Sequence, residues 1–91
     1  MQPEYIETFL DLMETASFNR TAERLGITQS SVSNRIAALE TQLGRKLFAR
    51  SRAGTSPTAA GQRFHSHALN LRHEWNEARR AVADAGVFAR A

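Results

Sequence analysis

The sequence predicts a mainly α-helical domain, a winged helix-turn-helix with a small β-hairpin wing and a long C-terminal helix. Apolar residues recur at helical spacing through most of the chain. Two helical segments meet at a three-residue turn, Gly26–Thr28, and a short glycine-containing hairpin pattern follows them. With 91 residues, the chain is one small unit. We divide it into a winged helix-turn-helix at residues 1–58 and a helix at residues 59–91.

The first two helices are predicted from apolar spacing and from residues typical of helix ends. The first buries one face at i, i+3, i+4 and i+7 spacing, made of Ile6, Phe9, Leu10 and Met13. A second helix, Arg20 to Leu25, buries Ala22 and Leu25. Gly26 ends it, because glycine reaches left-handed backbone angles at little cost.

The third helix lies in the stretch TQSSVSNRIAALE, with Thr28 as its N-cap and Gly44 at its end. Its predicted buried stripe is Val32, Ile36, Leu39 and Leu43. Extended runs at residues 46–50 and near Thr55 then predict a hairpin with Gly54 in the turn. Pro57 ends the hairpin, and Thr58 caps a last helix that runs to about Ala85.

The polar start of the third helix is the candidate functional feature. If Val32 and Ile36 face the core, Ser30, Ser31 and Asn34 project to the opposite side. Short side chains let a helix backbone approach the base edges of DNA, and asparagine and glutamine pair well with adenine. The alternative is that these residues only cap the helix, a task for which Thr28 suffices.

The last helix carries a strict apolar seam with alternating spacings of four and three residues. This a/d heptad predicts a coiled-coil homodimer. The alternative is a terminal helix that lies on its own core, but the length of the seam favours a dimer. The predicted interface consists of Phe64, Ala68, Leu71, Trp75, Ala78 and Val82.

Basic residues are concentrated in the middle of the chain. Residues 19–63 carry eight basic and two acidic side chains, whereas residues 1–18 carry four acidic and no basic ones. This distribution suits a polyanionic partner. A solvated basic surface explains the charge alone equally well.

Other classes of function lack support in the sequence. There is no cysteine, no glycine-rich phosphate loop and no nucleophile with a base at plausible spacing, so we expect no enzyme and no cofactor. His65, His67 and His73 lack the spacing of a metal site on one helix, so we expect no metal. No run is long enough to span a membrane and no signal peptide opens the chain, which predicts a cytoplasmic protein.

The block ASFNRTAERLGITQSSVSNRIAALETQLGRKLFAR, followed by TAAG, resembles the DNA-binding domain of LysR-type transcriptional regulators. The resemblance runs from Ile6 to about Val82 without a gap. It implies sequence-specific binding of double-stranded DNA by a bacterial regulator. It also implies a recognition helix at about residues 29–42 in the major groove and a wing near the minor groove. As partners it implies a second copy, in a homodimer on inverted half-sites, and a higher oligomer in a full-length protein.

The resemblance also implies roles for individual residues. The positions that match base-contacting residues are Gln29, Ser30, Ser33 and Asn34. The positions that match residues near the DNA backbone are Thr28, Ser31, Arg35, Arg50 and Thr58, and we add Arg52 as a contact from the wing. A protein-interaction module built from a winged helix and a coiled coil is the alternative function.

The sequence departs from the family pattern in three places and in length. Thr21 replaces the usual alanine where the two helices cross, and Pro57 replaces a leucine. Ala53 occupies the position of the wing arginine, so we expect Arg52 to act in its place; the alternative is a solvated turn arginine. Family members carry a C-terminal effector-binding domain. This chain ends where that domain would begin, which predicts an isolated DNA-binding fragment.

Overall fold

Four helices and one antiparallel hairpin make up the part of the chain that the computed structural model describes, residues 2–89, with side chains to residue 85. The fold class is therefore confirmed. The final two residues of the predicted segment 59–91 lie outside the described residues. The elements in chain order are α1 Pro3–Thr15, α2 Phe18–Leu25, α3 Gln29–Leu43, β1 Phe48–Ser51, β2 Gly54–Pro57 and α4 Ala59–Ala89.

The core forms where α1 packs against the other three helices, with Phe9 at its centre. Phe9 is fully buried, and its ring centroid lies 5.5 Å from that of Phe48 and 4.9 Å from that of Phe64. These tilted and edge-on arrangements are the ones that aromatic rings prefer. One side chain of α1 therefore contacts both the wing and the first part of α4.

Helix α2 begins two residues earlier than predicted. Ser17 is its N-cap: the Ser17 side chain accepts a hydrogen bond from the backbone N–H of Arg20. This places Phe18 on the helix, where its ring is buried against the core. Gly26 ends α2 with a φ of 67°, and Ile27 donates back to the Ala22 carbonyl, so the predicted turn between α2 and α3 is confirmed.

Thr21, which departs from the family pattern, fits the helix crossing because its hydroxyl is paired. Thr21 is fully buried, and its Oγ1 lies 2.7 Å from Thr15 Oγ1. Thr15 also lies 3.0 Å from the Ser17 carbonyl oxygen, to which it donates. Since a hydroxyl has one proton, Thr21 donates to Thr15 and Thr15 donates to Ser17. A buried hydroxyl with a partner costs little, whereas an unpaired one would be destabilising.

The first strand starts at Phe48, two residues after its predicted start. The backbone groups of Lys46 and Leu47 are hydrogen-bonded to side chains outside the hairpin instead. The Leu47 N–H donates to Glu40 Oε2 at 2.8 Å, and the Lys46 carbonyl accepts from Thr58 Oγ1 at 2.6 Å. The register pairs Ser51 with Gly54, so the turn itself consists of residues 52–53. Gly54 was predicted in the turn; it instead begins β2, with a φ of 121°.

The wing and helix α4 are joined by close backbone contacts. The Thr58 N–H donates to the Leu47 carbonyl at 2.9 Å, and Thr58 Oγ1 accepts from the Gly61 N–H at 3.1 Å. Gly61 is buried there, and a Cβ at this position would collide with the Leu47 carbonyl oxygen. The wing therefore sits directly against the first turn of α4, and only glycine fits at residue 61 without a shift.

Helix α4 extends four residues beyond its predicted end, to Ala89, and its first half belongs to the core. Ala68 is fully buried, so it is not available to a partner as predicted, whereas Phe64 is half-buried and packs against the core. The predicted stripe of α3 is also too long: Leu43, at the end of the helix, is 46% exposed. Both errors arise because periodicity identifies a helix face but not what covers it.

Candidate nucleic-acid interface

The N-terminal turns of α3 present polar side chains to solvent, as predicted. Val32 is fully buried and Ile36 is 3% exposed, whereas Gln29, Ser30 and Asn34 are exposed. Ser33 is half-buried on the side that faces the wing. Exposed amide and hydroxyl groups at the start of a helix can reach base edges in a major groove.

Thr28 and Ser31 are used in capping the helix. Thr28 Oγ1 accepts from the Ser31 N–H at 3.0 Å and donates to Ser31 Oγ at 2.9 Å. The Thr28 proton is therefore committed inside the protein. Ser31 keeps its own hydroxyl proton, which is the group of this pair that can be donated to a phosphate oxygen.

Arg35 reaches back to α1 and fixes how α3 sits on the core. Its Nη1 lies 3.3 Å from Thr8 Oγ1, which in turn donates to the Glu4 carbonyl oxygen at 2.7 Å. A guanidinium has five N–H donors, so this bond leaves others for a phosphate. Arg35 is half-buried.

Arg50 connects the wing to both helices of the helix-turn-helix. Its Cζ lies 3.5 Å from the centroid of the Phe18 ring, and its Nη2 donates to Ser33 Oγ at 2.8 Å. A guanidinium over an aromatic face is a favourable cation–π contact. Arg50 thus has a defined position before any ligand binds, although its side chain is exposed.

The two remaining predicted DNA-backbone or wing residues differ in how they are held. The Thr58 proton is committed to the Lys46 carbonyl, so Thr58 positions the wing on α4 and has no proton to donate to a phosphate. Arg52 stands exposed in the two-residue turn of the hairpin. Within residues 2–85, Arg52 makes no side-chain hydrogen bond or ion pair, which leaves its charge directed to solvent.

The acidic residues nearest to this surface are neutralised locally. Glu40 accepts from the Leu47 N–H and lies 3.7 Å from Lys46 Nζ. Elsewhere, Arg24 pairs with Asp11 at 3.1 Å and with Glu14 at 3.4 Å. Neither the start of α3, residues 28–36, nor the hairpin, residues 48–57, carries an acidic side chain, which suits a polyanion.

A second surface is an open apolar groove between the start of α1 and the middle of α4. The remaining predicted seam residues are exposed: Leu71 by 39%, Trp75 by 49% and Val82 by 72%, together with Ala78. Pro3 and Ile6 of α1 line the same groove. Sequence reasoning missed this side of the groove, because the heptad of α4 does not show which residues of α1 lie beside it.

Sequence reasoning also missed Phe18, Thr8 and Glu40, which support the interface without facing DNA. They hold Arg50, Arg35 and the wing, respectively. No local signal identifies these contacts, because each joins residues far apart in the chain.

Within residues 2–85, the structure brings no three histidine or acidic side chains together as a metal site. None of the helices described is long and apolar enough to cross a membrane.

A winged helix-turn-helix with an exposed polar helix start is the fold of a DNA-binding domain, and comparison with known proteins identifies its family. Residues 3–62 match the family model described as "Bacterial regulatory helix-turn-helix protein, lysR family". The chain belongs to the LysR family of bacterial regulators, and this part of it is their helix-turn-helix DNA-binding domain.

Three relatives illustrate the match. The chain is 46% identical over 83 residues to the HTH-type transcriptional regulator HdfR of Escherichia coli O139:H28, covering 91% of this chain and 30% of HdfR. A crystal structure of VV2_1132, a LysR family transcriptional regulator, superposes with a TM-score of 0.87 at 35% identity, covering 93% of this chain and 29% of that one. A CbnR DNA-binding domain in complex with DNA gives 0.76 at 31% identity, covering 91% and 99%. The chain thus spans about 30% of the length of the curated relative HdfR.

Proposed function

We propose that this chain binds double-stranded DNA in a sequence-specific manner, with the start of α3 in the major groove and the hairpin near the minor groove. The observation that carries the proposal is the exposed polar face of Gln29, Ser30 and Asn34 beside a wing that presents Arg52. The CbnR structure, a DNA complex of a similar domain, supports the same assignment.

The proposed contacts follow the exposed side chains. We assign base contacts to Gln29, Ser30, Ser33 and Asn34, and backbone or wing contacts to Ser31, Arg35, Arg50 and Arg52. Thr28 and Thr58 act by capping and positioning, since their hydroxyl protons are committed. In this proposal residues 1–58 contact DNA, and self-association rests mainly on residues 59–91.

Asn34→Ala should weaken binding to the preferred site by about 1–3 kcal/mol and leave binding to random DNA nearly unchanged. The reason is that the Asn34 amide is exposed on the face proposed to read bases. Fluorescence anisotropy on both DNAs measures the difference. Asn70→Ala, which removes an exposed asparagine from α4, is the matched control and should change neither affinity. Equal losses on the two DNAs would leave Asn34 with a backbone role only.

Arg52→Ala should weaken binding on every sequence and reduce the slope of log K against log salt by about one unit. The expected cause is the loss of one phosphate or minor-groove contact at the tip of the wing. Titration at four or more salt concentrations gives the slope. Arg80→Ala on α4 removes a charge that is paired with Glu77 and should leave the slope unchanged. An unaltered slope in Arg52→Ala would make Arg52 a solvated turn residue.

We further propose that the chain forms a homodimer through the α1–α4 groove and reads inverted half-sites. Trp75 and Leu71 leave apolar surface in water on a single chain, and a second copy would cover it. A two-fold axis through this groove gives each half of a palindromic site one recognition helix. The interface residues are Leu71, Trp75, Ala78 and Val82, with Pro3 and Ile6 beside them.

The salt dependence of binding separates DNA binding from the alternative, a protein-interaction module. Release of counterions makes DNA binding weaken steeply as salt rises, by a power set by the number of phosphates neutralised. The alternative is a protein partner bound through the same basic face. Such a partner has no condensed counterions to release, so its affinity should fall less steeply as salt rises. We propose a regulatory rather than an enzymatic role, exerted in the bacterial cytoplasm where chromosomal DNA lies.

A further inference from the structure

Ser33 and Arg50 form a pair whose hydrogen-bond direction is fixed by the fold. Arg50 has only donors, so in the 2.8 Å contact between Arg50 Nη2 and Ser33 Oγ the serine must be the acceptor. The Phe18 ring, 93% buried, holds the guanidinium from its other face at 3.5 Å. The pair therefore forms in the unliganded domain and is not created by DNA.

This contact leaves the Ser33 hydroxyl proton available to a ligand. Within residues 2–85, Ser33 Oγ makes no other hydrogen bond, so its proton is not committed to the helix backbone. One of its lone pairs is occupied by Arg50, and a second donor that approached Oγ would meet the positive field of the guanidinium. A serine that could ordinarily either donate or accept is thereby restricted to donating.

We propose that Arg50 restricts the Ser33 hydroxyl to donating a hydrogen bond to DNA. Ser33 then favours a base that presents an acceptor and disfavours cytosine. This inference rests on the proposed contact between the start of α3 and the major groove. There, guanine, adenine and thymine each offer an acceptor, whereas cytosine offers only its N4 amino donor. Arg50 and Phe18 are then positioning residues for specificity, in addition to any phosphate contact that Arg50 makes.

The test compares base preferences and not affinities alone. Binding sites are selected from a randomised duplex library with the wild type, and single-base variants of the selected site are titrated. The wild type should bind cytosine at one position about fivefold to tenfold more weakly than the best base, the range expected for one unmatched polar group. Ser33→Ala should abolish the discrimination at that position, and Ser33→Thr, which keeps the hydroxyl, should retain it.

Arg50→Met is the decisive variant. It should lower affinity on every sequence and also reduce the discrimination against cytosine to within about twofold, although Ser33 is still present. Phe18→Leu, which keeps an apolar side chain and removes the aromatic face, should reduce it partially. The preference that depends on Asn34 should survive in both variants, which shows that the domain is folded and still reads DNA.

Two outcomes would overturn the inference and leave the proposed function standing, and a third would contradict both. Full discrimination against cytosine in Arg50→Met would mean that Arg50 does not set the direction of the Ser33 hydroxyl. A uniform loss on all sequences in Ser33→Ala would mean that Ser33 meets a phosphate. Both results leave sequence-specific binding intact, whereas a wild type without preference at any position would contradict the proposed function itself.

Discussion

Trp75→Ala should convert the chain to a monomer at concentrations where the wild type is dimeric. Trp75 is 49% exposed on one chain and lies in the middle of the α1–α4 groove. Removal of a central aromatic anchor from an interface commonly costs about 2 kcal/mol or more, which corresponds to at least a roughly 30-fold weaker association. Sedimentation of both proteins over a concentration series measures this shift directly.

Leu69→Ala is the matched control for this experiment. Leu69 lies on the same helix and is 39% exposed, but it is not among the seam residues. The Leu69→Ala substitution should leave the dissociation constant of the dimer unchanged. On DNA, the wild type should bind a site with two inverted half-sites more tightly than a single half-site, and Trp75→Ala should lose this advantage. A wild type that remains monomeric at high micromolar concentration and binds both DNAs equally would contradict the dimer.

Gly61→Ala should lower the free energy of unfolding by about 2–3 kcal/mol, because the new methyl group collides with a backbone atom. A Cβ at residue 61 would meet the Leu47 carbonyl oxygen, which already accepts a hydrogen bond from the Thr58 N–H. A backbone carbonyl held in this way cannot rotate aside as a side chain would. The higher helix propensity of alanine offsets part of the loss, by about 1 kcal/mol.

Urea denaturation followed by circular dichroism measures this effect. Gln62→Ala, one residue further along α4 at an exposed position, should change the stability by less than about 0.5 kcal/mol. The contrast between neighbouring positions separates the steric effect from helix propensity. If Gly61→Ala is as stable as Gln62→Ala, the wing moves away from α4 at little cost and the junction is not rigid.

The features that the sequence predicted well are those determined by local chemistry. Thr28, Gly26 and Gly44 mark helix ends because capping oxygens and left-handed angles act over a few residues. The inward face of α3 followed from the spacing of Val32 and Ile36. The start of α2 was predicted two residues too late, because the helix is capped by Ser17, which accepts the hydrogen bond from the Arg20 N–H.

The errors arise from contacts between distant residues. The heptad of α4 is continuous in sequence, but α1 covers its first two positions, so Phe64 and Ala68 join the core while Trp75 stays exposed. Similarly, nothing near Ser33 in the sequence indicates that a guanidinium 17 residues away occupies its oxygen. Such pairs depend on how the wing folds back on α2 and α3.

The junction between the wing and α4 gives the domain a mechanical property. From Ala59 to Trp75 the helix is about 24 Å long at 1.5 Å per residue, and its near end is bonded to the wing through Thr58. In a dimer joined at Trp75, a tilt of about 10° at the seam would therefore swing each wing by about 4 Å, close to one base-pair step of roughly 3.4 Å. A stiff lever of this length turns a small angular change between two chains into a different spacing of the half-sites they can reach.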